Sequence, residues 1–89
     1  MNAQQKAAKG LRLIQESILD FLKQHKKEHK RGISNAHICR ELGLQQDPSK
    51  FTTTLSWAIL ELLVLRGHAR SRGKRSKKVY FFAKKLAAP

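Results

Sequence analysis

Acidic residues are scarce in this chain. Six Asp and Glu stand against nineteen Lys and Arg over 89 residues, a formal net charge of +13. Little is left for carboxylate chemistry. Glu16 and Asp20 lie one helical turn apart among basic neighbours and read as surface salt-bridge partners. Asp47 precedes Pro48 and reads as a helix cap, and Glu41 and Glu61 fit exposed helix faces. Cys39 is the single cysteine, which excludes an intramolecular disulfide and fits a reducing compartment. His25, His29, His37 and Cys39 match no zinc-ligand spacing. The longest apolar run, Leu60 to Leu65, contains Glu61 and falls far short of a membrane span. The opening MNAQQKAAKG lacks the apolar stretch of a signal peptide. No phosphate-cradling Gly loop and no nucleophile–base motif occurs. These absences set the expectation: no enzyme, no cofactor, no metal, no membrane, and a place in the cytoplasm (nucleoid-associated) or the nucleus.

What is present is charge, unevenly spread. Residues 32–67 balance three bases with three acids, whereas residues 68–89 hold eight bases and no acid. The run GHARSRGKRSKKVYFF, Gly67 to Phe82, concentrates Arg70, Arg72, Lys74, Arg75, Lys77 and Lys78 around Gly73. Val79, Tyr80, Phe81 and Phe82 follow at once and favour a strand. This pattern predicts a β-hairpin, strands near 68–72 and 77–82, with a cationic tip. Packing like charges on one loop adds nothing to stability, so the loop makes sense against a polyanion, and nucleic acid is the commonest one.

Upstream, apolar spacing of three and four residues predicts three helices. Leu11, Ile14, Ile18, Phe21 and Leu22 give helix one, about 10–28, with Gly32 beyond it. Ser34 is a good N-cap and Gly43 a good stop, so helix two spans about 35–42. Asp47-Pro48 opens helix three, 48 to about 66, with Phe51, Leu55, Ala58, Ile59 and Leu62 on its inward face. Residues 1–9 form a flexible N-terminal segment, 10–84 one domain and 85–89 a short tail. The fold class is mainly α with a small β-hairpin.

The order helix, helix, helix, hairpin resembles the winged helix-turn-helix family of DNA-binding proteins. The residues that carry it are Ile33-Ser34-Asn35-Ala36 leading to Leu42-Gly43-Leu44, Thr53 to Leu62, Arg66-Gly67, and the basic hairpin closed by Val79-Tyr80-Phe81-Phe82. The resemblance implies that helix three enters the major groove of DNA and the hairpin, the wing, grips the backbone or minor groove. By position, Lys50, Thr53, Thr54, Ser56 and Trp57 would face DNA from helix three. Arg70, Arg72, Lys74, Arg75, Lys77 and Lys78 would do so from the wing. The outer face of helix three offers Thr, Ser and Trp where bidentate base readers would be Arg, Gln or Asn, which implies backbone-dominated or shape-based recognition.

The expected partner is double-stranded DNA, and the expected role that of a small transcriptional or genome-associated regulator. RNA or ribosome association is the alternative for the same charge. A protein-interaction module, docking through Trp57, Leu60 and Val64, is the alternative from another class. A homodimer through helix one or the terminal segments is compatible with the pattern.

Overall fold

The computed structural model describes residues 1–28, 30–45, 53–74 and 77–83. The first helix, α1 (Ala3–Gln24), starts earlier than its apolar stripe predicts. Its start is set by a reciprocal cap: Asn2 Oδ1 accepts from the Gln5 amide at 2.8 Å, and Gln5 Oε1 accepts from the Asn2 amide at 3.0 Å. Its end also departs from the expected residue 28. After Leu22 no apolar residue occurs before Ile33, so further helical turns would bury nothing, and tertiary burial is what sustains a helix. The chain leaves the helix at His25, whose amide still donates to the Phe21 carbonyl at 3.1 Å.

A two-residue strand, β1 (Ile33–Ser34), leads directly into α2 (Asn35–Leu42). The expected bounds of this helix hold. Ser34 Oγ accepts from the His37 amide at 3.2 Å, and Gly43 closes the helix in the left-handed conformation. The third helix, α3, runs Thr54–Leu65. Thr53 has φ −118° and ψ 13°, outside helical values, so α3 does not extend unbroken from residue 48 as expected. The Asp47-Pro48 cap lies outside the described residues.

The basic hairpin forms β2 (Ala69–Arg72) and β3 (Val79–Phe82). The pair is antiparallel, with Ala69 opposite Phe82 and Arg72 opposite Val79. β1 joins the other edge of β3, with Ile33 opposite Tyr80, so the expected two-stranded hairpin is part of a three-stranded antiparallel sheet in the order β1-β3-β2. Two residues are too few for alternation to announce a strand. Gly73 has φ +90° at the hairpin turn, and a Cβ there would fall 2.6 Å from the Lys77 carbonyl oxygen, so glycine is required. Gly32, φ +93°, passes beneath β3; a Cβ would meet Val79 Cγ2 at 2.7 Å.

Helices and sheet share one core: Ile18 and Leu22 from α1, Ile33, Ile38 from α2, Ile59, Leu60 and Leu63 from α3, and Ala69 and Tyr80 from the sheet. The inward face of α3 thus differs from the expected one. Ser56, Ile59, Leu60 and Leu63 are buried, Leu55 and Leu62 are half-buried, and Ala58 is exposed. Apolar residues surround the second half of α3, so periodicity alone cannot orient it. Leu11, expected on the stripe of α1, is also exposed. No helix among the described residues is long and apolar enough to cross a membrane.

Candidate nucleic-acid interface

Two helix N-termini converge on one side of the sheet. Ser34, Asn35 and Ala36 at the start of α2, and Thr53, Thr54 and Trp57 at the start of α3, line a groove with Lys78 and Tyr80. The groove encloses about 650 Å³. Neither helix carries an acidic residue in its first turn, so the partial positive charge of each N-terminus is not offset there. Thr53 makes no side-chain capping bond, so its hydroxyl does not serve the first-turn amides of α3.

The floor of the groove is tied by a small polar network. The Asn35 Nδ2 amide donates to the Thr53 carbonyl at 3.0 Å, and the Ser56 hydroxyl donates to Asn35 Oδ1 at 2.6 Å. Asn35 thereby pins the start of α2 to the start of α3. Ser56 is 0 % exposed. The expectation that it faces DNA is corrected: it points inward, where its buried hydroxyl finds an acceptor in the half-buried Asn35 amide. No local signal in the sequence reveals this pairing, since its partners lie 21 residues apart. Trp57, one residue further on, is 51 % exposed and stands in the groove wall.

A second network joins α3 to the hairpin. Glu61 Oε2 accepts from the Tyr80 hydroxyl at 2.6 Å and from Lys78 Nζ at 2.8 Å. The Lys78 hydrogen bond, then that of Tyr80, holds the Glu61 carboxyl below its ordinary value. Burial, reinforced by the Glu61 hydrogen bond, pushes the Tyr80 phenol up. Glu61 is therefore a strut between helix and sheet rather than a residue of an exposed face. Lys78 is half-buried and its charge is met by Glu61, which distinguishes it from the other hairpin cations.

Those cations sit where the pleat puts them. Arg70 and Arg72 share the outer face of the sheet with their partners Phe81 and Val79. The Arg72 guanidinium lies 5.2 Å from the centre of the Phe81 ring, a cation–π distance. Lys74 and Lys77 are exposed around the turn, where the Lys77 amide donates to the Lys74 carbonyl at 3.1 Å. Arg70, Arg72, Lys74 and Lys77 carry no carboxylate partner among the described residues. Lys50 and Arg75 lie outside the described residues. Of the residues expected at the interface, Thr53, Thr54, Trp57 and Lys78 line the groove, Arg70, Arg72, Lys74 and Lys77 belong to the hairpin, and Ser56 is removed to the interior. Sequence reasoning missed Asn35 as a clamp and Glu61 as a strut.

His25 Nδ1 lies 3.1 Å from Glu28 and His37 Nε2 lies 3.7 Å from Glu41, so each imidazole has a carboxylate neighbour on its own segment. Compared with protein-family models, curated proteins and solved structures, the chain gives no match in any of the three.

Proposed function

We propose that this chain is a winged helix-turn-helix protein that binds double-stranded DNA and acts as a small transcriptional or genome-associated regulator, in the cytoplasm or nucleus, by binding and not by catalysis. In this reading α3 enters the major groove and the β2–β3 hairpin is the wing. The observation that carries it is the convergence of two acid-free helix N-termini and a half-exposed Trp57 on one groove, beside a hairpin whose outward cations lack carboxylate partners among the described residues. Helix N-termini and Lys or Arg side chains are the groups that hold phosphate oxygens.

The chemistry of the groove sets the kind of recognition. Thr53 and Thr54 offer hydroxyls and methyls, and Trp57 an indole, but none of them forms a two-pronged bond to a base edge. Binding is therefore dominated by the backbone, with modest sequence preference. Affinity falls steeply with salt, by about 0.9 in log–log slope for each phosphate neutralised.

The test is a salt titration against duplex DNA and against a structured RNA of equal charge, followed by selection of bound sequences from a random duplex pool. Duplex binding with a steep salt slope supports the proposal. Preference for the RNA, or binding to neither, overturns it.

A further inference from the structure

A second cationic recess lies at the other end of β3. Lys26 and Lys30, from the segment after α1, line it with Leu22, Ile33, Arg70 and the half-buried Phe81 and Phe82; Tyr80 forms the wall it shares with the first groove. Its volume is about 300 Å³. Lys26 Nζ stands 6.0 Å from the centre of the Phe82 ring. Lys26, Lys30 and Arg70 have no carboxylate partner among the described residues. Residues 23–31 contribute five bases, and their one acid, Glu28, is engaged by His25 at 3.1 Å.

Position separates this recess from the wing. The hairpin turn lies before Val79, whereas Phe82 ends the strand beside Ala69. Val79 to Phe82 spans about 10 Å of strand, and the turn lies beyond that. The Phe82 end of β3, where Lys26 lies, and the turn that carries Lys74 and Lys77 are thus farther apart than the ~8 Å screening length of physiological salt, with Arg70 between them on β2. The first groove opens among the starts of α2 and α3, and the second beside the end of α1.

We infer that the recess of Lys26 and Lys30 is a second docking point for a phosphodiester backbone, so that a single protomer holds two nucleic-acid segments at once. This rests on the nucleic-acid reading above. Lys26 and Lys30 meet phosphate oxygens, while the Phe82 ring and Leu22 give an apolar floor beneath the lysine stems. Nucleic acid is favoured over an acidic protein segment because the recess repeats the chemistry of the wing, cations beside the aromatic residues of β3.

The experiment compares the parent chain with Lys26→Gln/Lys30→Gln, two exposed substitutions. It uses a duplex short enough for one segment, and a mixture of donor- and acceptor-labelled short duplexes. The parent is expected to bind the short duplex and to bring the two labels together. The double variant is expected to keep its short-duplex affinity within about twofold, while its affinity for the second segment falls roughly thirtyfold at physiological salt, as two fewer neutralised phosphates predict. Equal thermal unfolding of the two chains shows that the fold is intact. Bridging that survives the double variant, as a protein dimer would produce, overturns the inference. So does a fall in short-duplex affinity matching that of a wing variant, which would make the two patches one surface. Competition by polyglutamate that equals competition by duplex in the bridging assay also overturns it. A parent that binds the short duplex without bridging defeats this inference alone; a parent that binds no duplex defeats the proposed function with it.

Discussion

The groove and the wing are adjacent, yet they are built on opposite terms. The groove floor is cross-tied: Asn35 holds Thr53 and Ser56, and Glu61 holds Tyr80 and Lys78. Its surface is nearly neutral, and its polarity comes from helix ends and hydroxyls. The wing carries exposed cations, Arg72, Lys74 and Lys77, around a glycine turn, without carboxylate partners among the described residues. If the chain binds duplex as proposed, the difference teaches that affinity and discrimination are separable. In that reading the wing contributes charge, and the groove contributes cross-tied geometry with little charge.

The largest effect breaks the wing. Arg72→Ala/Lys74→Ala/Lys77→Ala should lower duplex affinity roughly a hundredfold at physiological salt and reduce the salt slope by about 0.9 for each phosphate no longer neutralised. Thermal unfolding should hardly move, since these side chains are exposed. An unchanged isotherm would show that the wing is not the affinity element.

Next comes the clamp. Ser56→Ala removes the donor to the half-buried Asn35 carbonyl oxygen, at a cost of about 0.5–1.5 kcal/mol in denaturant unfolding. The groove would also lose its geometry, so sequence preference should weaken while the salt slope stays that of the parent. A variant as stable as the parent would mean that α2 and α3 are not joined through this side chain.

The strut gives a smaller, pH-dependent effect. Because Lys78 and Tyr80 hold the Glu61 carboxyl below its ordinary 4.5, its contribution is present at neutral pH and is lost as pH falls through the lowered value. On the alkaline side the Tyr80 phenol is held above its ordinary 10.0, so its contribution is present below pH 10 and drains away as pH rises further. Glu61→Gln should flatten the acid limb of the stability–pH profile and Tyr80→Phe the alkaline limb. Profiles superimposable on the parent's would remove the strut.

Thr54→Ala should have the smallest effect: affinity within about threefold, and a measurable change in preference over a panel of single-base variants. If preference is unaltered, α3 does not read the sequence, and the comparison between groove and wing collapses into charge alone.

Much of this architecture is legible in the sequence because it rests on local chemistry. Ser34 and Gly43 bracket α2 because capping is decided within one turn. The hairpin follows from Gly73 and the strand-forming residues after it. The rest depends on the meeting of distant segments. The second half of α3 is apolar almost all round, so its inward face is chosen by what α2 and the sheet present, and Ser56 rather than Leu55 is fully enclosed. β1 exists only because β3 has an edge to receive Ile33. The N-terminal cap of α1 is of the local kind, since Asn2 and Gln5 have capping-box spacing in the sequence.

Cys39 is buried in α2, 0 % exposed, and is the only thiol in the chain. A thiol so placed reacts with a labelling reagent only when α2 lifts from the core, so the rate of its modification is a clock for that opening. A duplex that binds only the closed form should slow the clock by one plus the ratio of its free concentration to its dissociation constant. If duplex binds as proposed, the chain carries its own gauge of occupancy, in a thiol enclosed by the core.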